Sequence, residues 1–297
     1  MHIAWLGKKS PFCGNVTYSR EITQALQERG YQVSFLHFDH ERDLDGSEPL
    51  AEREVSLPYL FKSQITTIPS PSSRRCLVEA LASLQPDVVH ASLSLSPLDL
   101  SLPDICQDLN LPLVVTFHPA FDRKLTTLSA RTQHLTYQVY APSLARCDRV
   151  IVFSNLQRDV FVRLGVPPEK VLVVPNGVDV SKYSPGPSGI KSSLGAQQLF
   201  VYQGRLSPEK NVDALLKAWK AIPKRPGCIL AIVGNGPLEQ SMRLFYGGET
   251  TIQWLGFVEE EQRRIDILRG ADVFILPSLV EGLSLSLLEA MACGTAC

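Results

Sequence analysis

Short apolar runs rich in β-branched residues alternate with segments of helical periodicity along the whole chain. In the first half, the runs that predict strands are HIAWL, QVSFLHF, DVVHA, LVVTFH, RVIVFS and VLVVP. Helical segments separate them, and the clearest one spans Asn15 to Arg29, with Gly30 placed to end it. This alternation is typical of βαβ units and predicts an α/β fold with parallel sheets. The charged, aperiodic stretch 39–56 predicts a loop.

A second series of the same kind begins near residue 197. Its predicted strands are LFVYQG, CILAIVG, TIQWLG and DVFILP, and a predicted helix follows each of them. The Pro-, Gly- and Ser-rich stretch 184–196 separates the two series and predicts a linker. We therefore expect an N-terminal Rossmann-like domain at 1–183 and a C-terminal one at 197–297, both doubly wound and facing a cleft. Ligands of such sheets bind at the carboxyl ends of the strands.

Composition limits the classes of protein that the chain can be. Its 297 residues exceed the usual size of one domain, and 44% hydrophobic residues are enough to form substantial cores. Lys and Arg number 29 against 30 Asp and Glu, so the net charge of −1 does not favour a nucleic-acid-binding protein. No run approaches the roughly 18–20 apolar residues of a transmembrane helix, and the opening residues lack the charge order of a secretory signal. Seven cysteines, an odd number without a C-x-x-C pair, favour reduced thiols in a cytoplasmic protein.

The segment GRLSPEKN follows a predicted strand directly and carries Arg205 and Lys210 in one strand-to-helix loop. Asn211 is placed to cap the helix that follows. Two cations beside the free N–H groups of a helix N-terminus form a suitable site for a diphosphate. A solvated loop with ordinary surface charges is the alternative interpretation. The segment GNGP at 234–237 also follows a strand, but a tight turn explains a lone G-x-G equally well.

The segment PSLVEGLSLSLLEAMACG places Glu281 and Glu289 eight residues apart across a loop that leads into a helix. If both carboxylates face the cleft, they can accept hydrogen bonds from neighbouring sugar hydroxyls. Backbone N–H groups after Gly282 would then meet phosphate oxygens. A sugar nucleotide carries both kinds of group. For Glu289, a capping box formed with Ser286 is an alternative that does not explain Glu281.

Several segments together resemble glycosyltransferase family 4, the retaining sugar-nucleotide transferases of GT-B fold. From about residue 147 onward, the segments that match in order and spacing are CDRVIVFS, PNGVD, GRLSPEKN, LAIVGNGP, WLGFV, ADVFILPS and EGLSLSLLEAMACG. In the first half, the looser matches are FCGNVTYSREITQALQERGYQVSFL, PDVVHA and VVTFH.

The resemblance implies roles for individual residues. Arg205 and Lys210 would hold the donor diphosphate and stabilise the departing nucleoside diphosphate by their charge. Glu281 would contact the donor sugar hydroxyls, and Glu289 would contact the ribose. His118, at the end of VVTFH, would lie beside the reacting sugar and orient a hydroxyl near C1.

The resemblance also implies backbone contacts with the donor. Gly14 stands nearest the family's phosphate-approaching glycine, and Gly282, Leu283 and Ser284 would contact the donor phosphates. His90 ends a neighbouring strand. The family implies no metal and no cofactor besides the nucleotide diphosphate sugar as co-substrate, and no cluster of His, Cys and Asp suggests a metal. The D-x-D triplet at 43–45 lies in the acidic loop and is interpreted as solvated charge.

Two features depart from the family. Ser284 and Ser286 stand at positions where many members carry glycine, which leaves the choice of donor open. The family pattern continues after EAMACG with another strand, a helix pair and a terminal helix, whereas this sequence ends at Cys297. We therefore expect a C-terminally truncated enzyme with an incomplete second domain and with no strand after its final helix.

The acceptor is expected to bind the first domain. Segment 117–146 combines basic residues with Phe121, Tyr137 and Tyr140, a mixture that suits a helix on an anionic membrane. A core helix with a solvated basic face is the alternative. The opening segment and HASLSLSPLDLSLP are similar to cyanobacterial galactolipid synthases, which convert monogalactosyl- to digalactosyldiacylglycerol. This similarity implies a glycolipid acceptor. The segments LPYLFKSQ and SSRRCLVEAL add three further basic residues to those of 117–146 for peripheral contact with a membrane: Lys62, Arg74 and Arg75.

Three functions remain open at this point. The leading one is a retaining transferase that moves a hexose from a nucleotide diphosphate sugar, preferably a UDP-sugar, to a glycolipid or glycan. Galactosyl transfer to monogalactosyldiacylglycerol is its most specific form. A sugar-nucleotide 2-epimerase of the same fold and an inactive module that binds nucleotide sugar are the alternatives. An NAD-dependent dehydrogenase is disfavoured because no G-x-G-x-x-G follows the first strand.

Overall fold

A computed structural model describes residues 1–10, 13–39, 50–63, 66–121, 128–223 and 225–297, and the side chains of 128–132 also lie outside the description. The chain divides into two units, Met1–Pro175 and Asn176–Cys297, and each contains a parallel sheet flanked by helices. The α/β fold predicted from the periodicity is therefore confirmed. The D-x-D triplet at 43–45 lies outside the described residues.

The first unit contains a seven-stranded parallel sheet. Its strands are β1 His2–Leu6, β2 Gln32–Phe38, β3 Arg53–Leu57, β6 Val88–Ser92, β7 Leu113–Thr116, β8 Arg149–Val152 and β9 Val171–Val173. Their order is β3-β2-β1-β6-β7-β8-β9, and every neighbouring pair is parallel. The chain thus winds away from β1 in both directions, and the carboxyl ends of β1 and β6 form the switch point where such sheets bind ligands.

Helices of the first unit cover this sheet with their apolar faces. They are α1 Gly14–Glu28, α2 Ser73–Leu84, α3 Leu102–Asp108, α4 Leu128–Leu144 and α5 Asn155–Arg163. Gly30 follows α1 with a φ of 81°, a left-handed conformation that a residue without Cβ adopts at low cost, and it ends the helix as predicted. The main core includes Leu77, Leu81, Leu102, Phe117 and Phe161.

The sequence pattern did not predict two short features of the first unit. An antiparallel hairpin joins β4, Tyr59–Lys62, to β5, Thr67–Pro69. The loop predicted at 39–56 is wrong at its end, because β3 begins at Arg53. β3 is an edge strand held by its backbone pairing with β2, and four of its five side chains are not fully buried, so its sequence lacks an apolar pattern.

The second unit contains a four-stranded parallel sheet. Its strands are β10 Gln198–Gln203, β11 Cys228–Val233, β12 Ile252–Gly256 and β13 Val273–Phe274, in the order β12-β11-β10-β13. Its helices are α6 Ile190–Leu194, α7 Val212–Ala221, α8 Glu239–Tyr246, α9 Glu261–Gly270 and α10 Leu285–Ala292. Leu199 and Val201 face one apolar cluster while Phe200 and Tyr202 face another, as alternate residues of a fully covered strand must. The carboxyl end of β10, between β11 and β13, is the switch point of this sheet.

The two units divide at 175/176, ahead of the linker predicted at 184–196. That stretch contains α6, whose Ile190 is buried in the core of the second unit together with Tyr183. The sequence pattern did not reveal α6 because five residues are too few to establish a helical period.

Residues after α10 return to the sheet, contrary to the expectation that no strand pairing follows the final helix. Ala296 forms an isolated parallel bridge with Val273, and the Phe274 N–H donates to the Ala296 carbonyl over 2.7 Å. Thr295 Oγ1 donates to the Leu268 carbonyl over 2.6 Å and fixes the turn. A pairing of this length involves too few residues to produce a periodic pattern of apolar side chains in the sequence.

Candidate active site

Arg205 and Lys210 lie in the loop that leaves the carboxyl end of β10. The Arg205 guanidinium pairs with Glu209 at 2.5 Å, and its Nε donates to Ser207 Oγ over 3.2 Å. Burial opposes the ionisation of Glu209, but hydrogen bonds from Ser207 and Arg205 hold its pKa below the ordinary value. The Lys210 ammonium pairs with the carboxylate of Glu281. The two cations are thus oriented by carboxylates, and at 27% and 21% exposure they remain within reach of a ligand.

The loop after β10 is tied to the loop after β13 by more than the ion pair. Asn211 Nδ2 donates to the Pro277 carbonyl over 3.2 Å, and the Leu279 N–H donates to the Glu209 carbonyl over 2.9 Å. The prediction that Asn211 caps α7 is wrong, because its side chain makes no capping bond and its φ of 52° is left-handed. Its amide holds the two loops together instead.

Glu281 is oriented by two donors. Its Oε1 accepts from the Lys210 ammonium and, over 2.9 Å, from Ser278 Oγ. Within the described part of the chain, no hydrogen bond reaches its other oxygen, and the side chain is 23% exposed. A carboxylate held in this way can accept a hydrogen bond from a ligand hydroxyl.

Glu289 lies on α10 and is 8% exposed. Its Oε2 accepts from Gln203 Nε2 over 3.0 Å, at the last residue of β10. The capping-box alternative is wrong, because Ser284 rather than Ser286 caps α10, accepting from the Leu287 N–H over 3.4 Å. Glu289 therefore belongs to the carboxyl edge of the sheet rather than to the helix start.

Backbone N–H groups between Glu281 and Glu289 are available to donate hydrogen bonds to a ligand. The Leu283 carbonyl accepts from Asn176 Nδ2 over 2.9 Å, which holds the loop in place. Among the described residues, the N–H groups of Gly282, Leu283 and Ser284 have no backbone acceptor. Free N–H groups just before a helix are suitable donors to an anion.

Glycines bring the loops after β10 and β11 into direct contact. Gly234 has a φ of 123°, and a Cβ on it would lie 2.1 Å from the Gly204 carbonyl oxygen. A Cβ on Gly236 would lie 2.4 Å from the Leu206 carbonyl oxygen. The G-x-G of GNGP is therefore required by packing, which the sequence left open.

In the first unit, a hydrogen-bonded chain runs from α1 to His118, two residues beyond β7. Asn15 Nδ2 donates to the Leu93 carbonyl over 3.0 Å, and Ser92 Oγ donates to Asn15 Oδ1 over 2.8 Å. Ser92 Oγ also lies 2.8 Å from His118 Nε2. Gly14, the first residue of α1, has open space where a Cβ would be, so protein packing does not require glycine there.

His90 is the middle residue of β6, rather than the end of a strand as predicted, and His118 lies two residues beyond the end of β7. Burial lowers the pKa of each to about 3, so both rings are neutral near pH 7. His90 stacks on Trp5 with ring centroids 4.0 Å apart, and its Nε2 lies 2.9 Å from Thr116 Oγ1. The Tyr18 ring meets His118 edge-on at 4.9 Å.

The aromatic residues of 117–146 do not form a membrane-facing surface. Tyr137 and Tyr140 are buried, and their rings pack against Phe117 in the core. Arg146 is exposed and pairs with Asp104 at 2.5 Å. The described part of α4 thus fits the core helix of the alternative, and Arg146, two residues after the end of α4, is solvated. The other basic residues of the segment, Arg123, Lys124 and Arg131, lie outside the described side chains.

The described residues contain no group of three or more His, Cys, Asp or Glu side chains that could hold a metal ion. No helix in the described part of the chain is long and apolar enough to cross a membrane.

Comparisons with known proteins cover nearly the whole chain. Residues 13–182 match Glycosyltransferase Family 4, and residues 190–297 match Glycosyl transferases group 1. A UDP-Gal:alpha-D-GlcNAc-diphosphoundecaprenol alpha-1,3-galactosyltransferase of Escherichia coli is 30% identical over 261 residues, which are 82% of this chain and 65% of that protein. Sulfoquinovosyl transferase SQD2 of Arabidopsis thaliana is 24% identical over 98% of this chain and 58% of its own length. The chain therefore spans less than two thirds of the length of these relatives.

Solved structures share the fold. Anabaena Alr3699/HepE in complex with UDP-glucose has a TM-score of 0.77 at 19% identity, covering 99% of this chain and 79% of its own. Sucrose-phosphate synthase from Thermosynechococcus elongatus has a TM-score of 0.75 at 20% identity, with the same coverage of both chains. These likenesses support the fold alone, GT-B with two Rossmann-like domains. With its first 182 residues matched almost completely and its second unit matched to the group 1 domain, the chain belongs to glycosyltransferase family 4.

Proposed function

We propose that the protein is a retaining glycosyltransferase that moves a hexose from a nucleotide diphosphate sugar to a glycolipid or glycan acceptor. The observation that carries this proposal is the Lys210–Glu281 ion pair, which joins the loop after β10, the predicted diphosphate site, to the segment after β13 that carries Glu281 and Glu289. A cation for phosphate and a carboxylate for hydroxyls then lie side by side, which matches the two kinds of group in a sugar nucleotide.

Each site residue has a distinct task in this proposal. Arg205 and Lys210 neutralise the charge that develops on the departing nucleoside diphosphate. Glu281 accepts from hydroxyls of the donor sugar through the oxygen that no described residue binds. Glu289, held by Gln203, accepts from the ribose hydroxyls. The N–H groups of Gly282, Leu283 and Ser284, together with the backbone near Gly14, approach the phosphates.

His118 is assigned to the reacting sugar. Its neutral ring can form a hydrogen bond with a hydroxyl near C1 without adding a charge to the site.

For the donor base we propose uridine. The Escherichia coli relative is named for UDP-Gal, and the HepE structure contains UDP-glucose, whereas a Mycobacterium tuberculosis relative 29% identical over 72% of this chain is named for GDP-mannose. Isothermal titration of UDP, GDP and ADP against the purified chain tests this choice. We expect UDP to bind tightest, and tighter binding of GDP would reject uridine.

Retention is tested by the configuration of the product. After incubation with an α-linked UDP-hexose and an acceptor, the anomeric proton signal of the product should report an α linkage. A β linkage would contradict the proposed mechanism. A folded chain that binds UDP without any turnover would favour the inactive binding module instead.

For the acceptor we propose a glycolipid, with monogalactosyldiacylglycerol as its most specific form, reached by peripheral contact with an anionic membrane. Leu60 and Phe61 of the β4–β5 hairpin are 69% and 52% exposed, and Arg74 and Arg75 are exposed at the start of α2, which together suit a lipid surface. Flotation with vesicles that contain anionic lipid should recover the wild-type chain. Leu60→Ser/Phe61→Ser should lose this recovery, whereas Leu244→Ser, at an 81% exposed position of the second unit, should keep it. Equal recovery of the wild type, the hairpin double variant and Leu244→Ser would contradict the proposal that the hairpin contacts the membrane.

A further inference from the structure

The chain Asn15–Ser92–His118 defines where each of its hydrogen atoms lies. The amide of Asn15 has one possible orientation, because the Leu93 carbonyl can only accept and therefore faces Nδ2. Oδ1 of Asn15 must then be the atom that faces Ser92 Oγ at 2.8 Å. Ser19 Oγ, at 3.5 Å, approaches the same Oδ1 as a second donor.

Ser92 has a single hydroxyl hydrogen to donate. If that hydrogen pointed to His118, two acceptor oxygens, Asn15 Oδ1 and Ser92 Oγ, would face each other at 2.8 Å inside the protein, which is unfavourable. The hydrogen therefore goes to Asn15, and Ser92 Oγ has only a lone pair to offer to the imidazole nitrogen 2.8 Å away. That nitrogen, Nε2, must carry the proton.

We infer that Asn15 and Ser92 hold His118 in the Nε2–H tautomer, so that Nδ1 is a bare acceptor reserved for a hydroxyl group of the bound sugar. The inference deepens the proposed function and rests on it for the identity of the ligand. Asn15 and Ser92 are thus positioning residues, which act through the imidazole rather than on the substrate.

Other features of the site agree with this assignment. No described residue forms a hydrogen bond with His118 Nδ1, and this atom is not fully buried. The rings of Tyr18 and Phe153, with centroids 4.9 and 5.3 Å from that of His118, restrict rotation of the imidazole. A bare nitrogen accepts from an O–H donor and repels a phosphate or carbonyl oxygen, so this position selects a hydroxyl.

The test uses the full chain labelled with ¹⁵N-histidine, without donor or acceptor. Two-bond ¹H–¹⁵N correlation spectra distinguish protonated from bare ring nitrogens, and the His118→Gln spectrum identifies the signals of this ring among the six histidines. Because a net hydrogen bond corresponds to about a factor of ten in an equilibrium, we expect the Nε2–H form to exceed the Nδ1–H form roughly tenfold in the wild type.

Variants separate the two members of the chain. Ser92→Ala removes the acceptor of the Nε2 proton and should give a mixture of tautomers, whereas Ser92→Thr keeps the hydroxyl and should restore the preference. Asn15→Leu frees the Ser92 hydrogen to donate to the ring and should also give a mixture. If one variant does not fold, the other decides.

A predominantly Nδ1–H ring in the wild type would overturn the inference, as would an unchanged tautomer ratio in Ser92→Ala or Asn15→Leu. The spectra do not depend on catalysis, so the inference and the proposed function fail separately. An Nε2–H ring in a chain that transfers no sugar counts against the proposed function alone. An Nδ1–H ring in an active enzyme counts against this inference alone.

Discussion

Removal of the Lys210 ammonium is the most direct test of the diphosphate site. In the free protein this ammonium pairs with Glu281, and the two side chains are 21% and 23% exposed. Lys210→Ala therefore removes a cation and leaves a half-buried carboxylate, whose charge would repel an incoming diphosphate. A hydrogen bond to a charged group contributes about 1.5–3 kcal/mol, so UDP binding should weaken by roughly 10- to 150-fold.

The double variant Lys210→Ala/Glu281→Gln separates the two contributions. Glutamine keeps the shape of Glu281 but carries no charge, so the double variant should recover the part of the loss that arises from repulsion. Lys217→Ala is the matched control, because Lys217 on α7 is 68% exposed, pairs with Asp213 and contributes the same charge.

The assay is isothermal titration of UDP against the wild type and the three variants, with circular dichroism to verify that each is folded. Binding by Lys210→Ala within about twofold of the wild type would refute the assignment of Lys210 to the diphosphate. Equal weakening in Lys217→Ala would refute it too, because the effect would then follow net charge rather than position.

Three further predictions concern the architecture around the site. Gln203→Ala should lower the free energy of unfolding by about 1–3 kcal/mol, because a buried carboxylate loses the amide that donates to it. Gly234→Ala should lower it by about 1–3 kcal/mol or more, since its φ of 123° disfavours a residue with Cβ and that atom would lie 2.1 Å from a carbonyl oxygen. His118→Gln should flatten the pH dependence of stability in acid. Burial lowers the pKa of His118 to about 3 in the folded state, whereas in the unfolded chain the pKa of a histidine is about 6.5. Below about pH 6.5 the unfolded chain therefore binds a proton that the folded chain does not. As the pH falls from that value, the His118 ring should lower the free energy of unfolding of the wild type by up to about 1.4 kcal/mol per pH unit.

Each of these three has a measurement, and the first two also have a control variant. Urea denaturation compares Gln203→Ala with Gln198→Ala, an exposed residue at the other end of the same strand. It also compares Gly234→Ala with Gly248→Ala, where an added Cβ meets nothing within 4 Å. Equal losses within either pair would contradict the prediction. For His118, denaturation is repeated from about pH 7 to about pH 4, and parallel curves for wild type and His118→Gln would show that the ring does not stay neutral in the folded state.

The periodicity of the sequence was most informative where an element is long and covered. Asn15 to Arg29 was predicted as a helix and α1 spans Gly14–Glu28, because a long amphipathic segment repeats its pattern over several turns. β2 spans the same residues as QVSFLHF, since a strand covered on both faces is predominantly apolar. β3, α6 and the bridge at Ala296 are held by backbone pairing or by a short contact. Their sequences therefore show no periodic pattern of apolar side chains, and the prediction of secondary structure failed there.

The sequence also missed residues that orient the candidate site, although it contained signals for some of them. Asn176 belongs to the quoted PNGVD segment, Gln203 is a polar residue at the end of an apolar strand, and Asn15 follows Gly14 directly. Their partners lie 107, 86 and 77 positions away along the chain. No local pattern indicates which distant group a polar side chain will meet.

The sequence by itself determined the order of the longer, covered strands and helices and the loops that carry Arg205, Lys210 and Glu281, because periodicity and turn residues act over a few neighbouring positions. Only the tertiary structure decided that Lys210 pairs with Glu281, 71 positions away, and that Ser92 lies between Asn15 and His118. A hydrogen bond or ion pair requires two atoms to come within about 3 Å. That distance is decided by how the whole sheet and its helices pack, and local sequence does not encode it.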